Sequence, residues 1–309
     1  MSKVKEGDVL AAARLMRGIE DEAPEALEAM ENVYHETGNA YIVGLTGAPG
    51  AGKSSLIGAL IAAFRKKEMT IGVVCVDPTS PFTGGAILGD RIRMQACGSD
   101  NDVFIRSLAS RGWRGGLSKC TVNVVHVMDA MGKDIIFVET VGAGQNEVDV
   151  ARVADTTLVV MTPGMGDEIQ MMKAGILEVA DIFAVNKADR EGAENVKTWL
   201  EVMLGMKKYP PEAWKPRVIL TEATSGRGID ELADGILEHK EFIITHNEMG
   251  KRRRERARIE LLMAIECILQ EHIERMDQDY LDKLVDDLAQ RKTNPRAAAI
   301  EVIKIFRGL

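Results

Sequence analysis

The sequence predicts an α/β fold: a mostly parallel sheet covered by helices on both faces, with helical extensions at the N- and C-terminal ends. Three observations carry this. Seven short apolar runs, YIVGLT, TIGVVCVD, DVFIRSL, DIIFVET, TTLVVMT, IFAVNK and RVILTE, lie between residues 41 and about 240. Helical patterns separate them, as in sheets whose strands are buried on both sides. The chain is 46% hydrophobic, which is enough to bury a substantial core.

Taken in order, residues 1–39 read as a helical segment. Leu10, Leu15 and Ile19 share one face, Pro24 opens a second helix bearing Leu27, Met30 and Tyr34, and Gly38 is its expected stop. Residues 40–246 hold the apolar runs, most of them rich in Val and Ile and too short for helices. In residues 247–309 the strand signal disappears. Ile259, Leu262, Ile265, Leu269, Ile273 and Met276 form a helical stripe, and Asn294-Pro295 opens a last helix with proline at its first position.

Composition narrows the function. The length of 309 residues suits one large domain with helical additions, or two domains. A net charge of -8 makes the chain a poor general nucleic-acid binder, because phosphate contacts need clustered positive charge. Cys75, Cys97, Cys120 and Cys267 are widely spaced and form no C-x-x-C pair, so they read as reduced, mostly buried thiols. The start, MSKVKEGDVL, has no apolar signal core, and no run of about 18 apolar residues occurs. These features predict a cytoplasmic protein with neither membrane nor nucleic-acid partners.

The most informative stretch is Gly47-Ala48-Pro49-Gly50-Ala51-Gly52-Lys53-Ser54, followed by Ser55, between the run YIVGLT and an apolar helix. Glycines there let backbone N–H groups turn toward phosphate oxygens, and the helix N-terminus adds partial positive charge. Lys53 is placed to reach the β- and γ-phosphates, and the Ser54 hydroxyl to bind Mg²⁺. The pattern is that of a P-loop NTPase.

Asn186, Lys187 and Asp189 end the run IFAVNK. An Asp189 carboxylate can accept both the N1–H and the 2-amino donors of guanine, whereas adenine has no such donor pair. Lys187 would pack its stem on the purine, and Asn186 would hold neighbouring loops together. The loop Thr221-Glu222-Ala223 is the candidate contact for the guanine oxygen, so Glu222 and Ala223 join the nucleotide set. GTP is thus the expected ligand, and ATP the weaker reading.

Three carboxylates follow apolar runs or adjoin glycines: Asp77, Asp90 and Glu139. At the C-terminal edge of a parallel sheet they would meet a ligand, and oxygen donors suit Mg²⁺. In ETVGAGQ, Gly142 is placed to sense the γ-phosphate through its backbone N–H. Gln145 either orients water or caps the following helix.

Together, GAPGAGKSS, VDPTSPFTGGAILGDRIRM, ETVGAGQNEVDVARVAD, PGMGDEIQMMKAGILEVAD and VNKAD resemble one family over roughly residues 40 to 240. It is the MeaB/ArgK-type GTPases, metallochaperones of adenosylcobalamin-dependent acyl-CoA mutases. The resemblance implies nucleotide and Mg²⁺ roles for Lys53, Ser54, Asp77, Asp90 and Glu139. It implies switch behaviour at 82–94 and 141–147, and a third moving loop near 164–173 with Lys173 as a contact for the mutase or the nucleotide. It also implies a homodimer through the C-terminal helices and GTP hydrolysis gating the mutase's cofactor, with adenosylcobalamin bound only by the mutase. Trp113-Arg114 and Glu222 depart from the family's usual residues and leave the mutase served open. A kinase acting on a transport protein and a non-catalytic assembly factor are the alternatives. The basic run KRRRERAR, 251–258, reads as a solvated helix face or as a contact for an acidic partner or CoA phosphates.

Overall fold

The computed structural model describes residues 2–77, 100–109, 119–140, 149–164 and 175–306. Two compact units divide it, 1–259 and 260–309.

The first unit begins with α1 (Ser2–Lys5), α2 (Val9–Glu20) and α3 (Pro24–Tyr34). Asp8 caps α2 by accepting the amides of Leu10 and Ala11, and Pro24 starts α3 where its missing N–H costs nothing. The α3 helix stops at Tyr34, four residues before the expected Gly38. The Asp129 carboxylate explains the difference. It accepts the amides of Gly38 (2.6 Å), Asn39 (3.2 Å) and Ala40 (2.9 Å), and so fixes the path of this segment into the first strand.

All seven apolar runs are strands: β1 (Tyr41–Thr46), β2 (Ile71–Asp77), β3 (Val103–Ala109), β4 (Ile135–Thr140), β5 (Thr156–Met161), β6 (Ile182–Val185) and β7 (Arg217–Leu220). Their order across the sheet is β3-β2-β4-β1-β5-β6-β7, and every pairing is parallel. The connecting helices are α4 (Lys53–Arg65), α5 (Lys119–Ala130), α6 (Asp149–Val153), α7 (Ile176–Val179), α8 (Ala193–Met206) and α9 (Ile229–Thr245).

Strand alternation divides the core between the two faces. Val43, Leu45, Leu158, Val160, Ile182 and Ala184 face α4 and α9, where they pack with Leu56, Leu60, Phe64, Leu232 and Ile236. Val159, Met161, Phe183 and Val185 point to the other side, against Val196 and Leu200 of α8. Fully burying each large apolar side chain contributes roughly 1.5–3 kcal/mol, so α4 is seated firmly. That matters because α4 begins with the phosphate-loop lysine.

The second unit holds the end of α10 (Glu248–Glu274), with α11 (Gln278–Ala289) and α12 (Pro295–Phe306). Pro295 opens α12 as expected, with Asn294 accepting the amide of Ala297 at 3.0 Å. Cys267, Leu284 and Ala298 are its buried apolar residues, while Leu261, Leu262, Ile265, Ile268 and Leu269 are exposed. Among the described residues no helix is long and apolar enough to cross a membrane.

Candidate nucleotide site

Parallel strands end on one edge, so the loops after β1, β6 and β7 and the C-terminal end of β4 converge there. The loop after β1 is too tight for side chains at two points. Gly47 has φ 141°, and a Cβ on it would stand 2.2 Å from the Val160 carbonyl oxygen. Gly52, at φ 91°, would place a Cβ 2.5 Å from Asn186 Nδ2. Ala48 and Ala51 are buried, whereas Pro49, Gly50 and Ser55 are exposed.

Lys53 opens α4 and is buried. Its Nζ donates to the carbonyls of Gly47 (2.7 Å) and Ala48 (3.3 Å), which holds the ammonium against the loop. The next residue reaches the neighbouring strand: Ser54 Oγ donates to Glu139 Oε1 at 2.9 Å, and both residues are buried. Glu139 is brought there by β4, whose register pairs it with Leu45 of β1. A hydroxyl and a carboxylate far apart in sequence thus sit side by side under the phosphate loop.

Asn186 ties the adjoining loops. Its Nδ2 donates to the Ala51 carbonyl (2.9 Å), and its Oδ1 accepts from Ala223 N (3.3 Å) and Thr221 Oγ1 (3.4 Å). Lys187 takes a left-handed φ of 59° and reaches back, donating to the Gly50 carbonyl at 2.6 Å. Asp189 follows on an exposed turn. Glu222 closes the loop after β7 through its backbone, donating to Arg227 O and accepting from Gly226 N, each at 2.9 Å. The structure therefore brings together the residues predicted between 47 and 55, Glu139, and the 186–189 and 221–223 segments. Asp77 ends β2, and its side chain is outside the described set. Asp90, Trp113, Arg114, Gly142, Gln145 and Lys173 lie outside the described residues, as do 82–94, 141–147 and 165–173.

The opposite edge carries a network that the sequence reading missed. Asp155 and Asp181 stand immediately before β5 and β6, and each clasps the strand beside it. Asp155 N donates to Ile42 O (2.8 Å) while its Oδ2 accepts Ile42 N (2.9 Å). Asp181 N donates to Thr157 O (3.0 Å) while its Oδ2 accepts Thr157 N (2.8 Å). The run 251–258 is not a wholly solvated face: Arg252 forks onto both Asp181 oxygens at 2.8 Å, and Arg256 meets Asp155 Oδ1 at 3.1 Å, while Lys251, Arg254 and Arg258 are exposed. A signal was present, because Val-Ala-Asp precedes both strands, at 153–155 and 179–181.

Thr156 Oγ1, His239 Nδ1 (2.7 Å) and, from His239 Nε2, Asp181 Oδ1 (3.3 Å) form a hydroxyl–imidazole–carboxylate series. All three residues are buried, and Tyr41 OH also bonds Thr156 Oγ1. No substrate can reach them, so the series is structural. Burial alone would raise the Asp181 carboxyl; hydrogen bonds from Arg252 and His239 outweigh it and hold it at about 2, below its ordinary 3.8. The folded-state value is depressed, so this stability is fully present above about pH 4 and is lost as pH falls toward 2. The shift corresponds to about 2 kcal/mol. Urea midpoints of wild type and Asp181→Asn should therefore differ most near neutral pH and converge in acid. A difference independent of pH would contradict the assignment.

Comparison with known proteins agrees with this geometry. A solved structure of an LAO/AO transport system kinase shares the fold, with a TM-score of 0.71 at 23% identity over 99% of this chain and 96% of that one. A protein named as a GTPase from Pyrococcus abyssi is 45% identical over 100% of this chain and 96% of its own. GTPase ArgK of Escherichia coli is 32% identical, over 82% of this chain and 79% of its own. The profile of the family described as methylmalonyl Co-A mutase-associated GTPase MeaB matches residues 12–277. With the phosphate loop folded beneath the 186–189 turn, the chain belongs to this family and is a P-loop GTPase of the MeaB/ArgK type.

Proposed function

We propose that this GTPase is a nucleotide-gated chaperone of an adenosylcobalamin-dependent acyl-CoA mutase of the methylmalonyl-CoA type, controlling loading, protection or reactivation of the mutase's cofactor. The family's association with methylmalonyl-CoA mutase supports the partner. The observation that carries the nucleotide reading is the buried Ser54–Glu139 contact beside Lys53.

In this reading the amides of residues 47–52 and the Lys53 ammonium hold the phosphates. Ser54 and Glu139 fit Mg²⁺, being adjacent hard oxygen donors, and Asp77 and Asp90 complete the candidate set. Bound Mg²⁺ supplies neutralisation of charge developing on the transferred phosphoryl group. Asp189 accepts the guanine donors, Glu222 and Ala223 line the base through their loop, and Lys187 flanks the purine. Gly142 senses the γ-phosphate and Gln145 orients water, so that hydrolysis releases the switch loops. Adenosylcobalamin stays with the mutase. The exposed stripe Leu261, Leu262, Ile265 and Leu269 is covered by a second copy, giving a cytoplasmic homodimer.

The test is capture from lysate of the source organism, by protein held with a non-hydrolysable GTP analogue and, separately, with GDP. A cobalamin-dependent mutase subunit should be retained with nucleotide-dependent strength. Retention of other proteins alone, in both states, would overturn the partner while leaving the GTPase. A Lys53-dependent phosphorylated acceptor would favour the kinase alternative. Full partner support by Lys53→Ala would favour a non-catalytic assembly factor.

A further inference from the structure

The opposite sheet edge holds α10 in an unusual way. Within 248–259 no side chain is fully buried, and of its apolar residues Met249 packs, partly buried, against the core. What fastens this stretch is Arg252 and Arg256, one helical turn apart on one face. Arg252 NH1 also donates to the Asp155 carbonyl (2.8 Å), and Arg256 NH1 to the Val153 carbonyl (3.0 Å).

The receiving carboxylates are anchored independently of the helix. Asp155 keeps its bond from Ile42 N, and Asp181 its bond from Thr157 N, whichever way the arginines move. Loss of a buried pair is costly when it strands a charge. Here each carboxylate retains a backbone donor at the rim of the sheet, and the Arg252 side chain, at 32% exposure, is already near water, whereas Arg256 lies on a fully buried Asp155 carboxylate. Apolar surface adds little that must be exposed.

We infer that the first turns of α10, residues 248–259, are a strap clasped to the N-terminal sheet edge by two guanidinium–carboxylate pairs, and that the strap opens without unfolding of the sheet. The strap is a conformational device separate from the nucleotide loops and independent of the proposed mutase role.

Hydrogen exchange on the full chain tests this. In wild type, amides of 252–259 should exchange through an opening with shallower urea dependence than those of β1 and β5. Arg252→Gln should raise exchange in 252–259 by roughly 10²-fold while leaving β1 unchanged. Arg254→Gln, at an exposed position on the same helix, should do neither. The inference fails if the strap and β1 of wild type exchange together with one urea dependence, or if Arg252→Gln accelerates strap and sheet equally. Should the variant not fold, the wild-type comparison decides alone.

Discussion

Lys53→Ala is expected to lower the turnover of GTP by roughly 10²–10³-fold, the scale of losing one preorganised charge at a developing negative centre. The reasoning is local. Lys53 is 5% exposed and its ammonium lies against Gly47 O and Ala48 O. A charge already positioned there costs no reorganisation when negative charge grows on the γ-phosphate. The loss should therefore fall on kcat more than on KM. The fold should survive, because Leu56, Ile57, Leu60 and Phe64 hold α4 to the sheet whatever stands at its first position. Phosphate release at saturating GTP, beside a thermal melt, separates the two. A variant that melts normally and hydrolyses GTP within about threefold of wild type would remove Lys53 from the chemistry.

The central strands were legible because they are buried on both faces, so β1, β5 and β6 appear as unbroken apolar runs bounded by loops, while the edge strands β3 and β7 are only half-buried and carry Arg106 and Arg217. Phosphate-loop chemistry was legible because the motif's glycines are demanded by the fold: a Cβ on Gly47 would strike the Val160 carbonyl and one on Gly52 the Asn186 side chain, both at left-handed φ. Long-range polar partners were not. Gly38 looked like a helix stop, yet the Asp129 carboxylate, about ninety residues away, sets the path of that segment. The run 251–258 was read as one charged face because local charge density does not say which arginines turn inward. Arg252 and Arg256 do so because two aspartates at the starts of β5 and β6 lie under one side of the helix. The repeated Val-Ala-Asp was the available clue, and it gains meaning only when β5 and β6 are known to be neighbours.

Asp189→Asn should exchange the preferred base. Guanine presents two donors, N1–H and the 2-amino group, and a carboxylate meets both with acceptors. An amide has one acceptor, so its NH₂ would face a donor. Hydrogen bonds to a charged group contribute about 1.5–3 kcal/mol each, so losing one outright and the charge assistance of the other predicts a fall in GDP affinity of roughly 10²–10³-fold. Xanthine carries a carbonyl where guanine carries the 2-amino group, and the Asn NH₂ can donate to it. XDP should therefore gain on GDP in the variant. The change should leave the fold intact, because Asp189 is exposed, while the loops it serves are held by Asn186 through Ala51 O and Ala223 N. Competition between labelled GDP and unlabelled XDP measures the exchange directly. If Asp189→Asn binds GDP within about threefold of wild type, the base is read elsewhere, and the loop at Glu222 and Ala223 becomes the segment to substitute next.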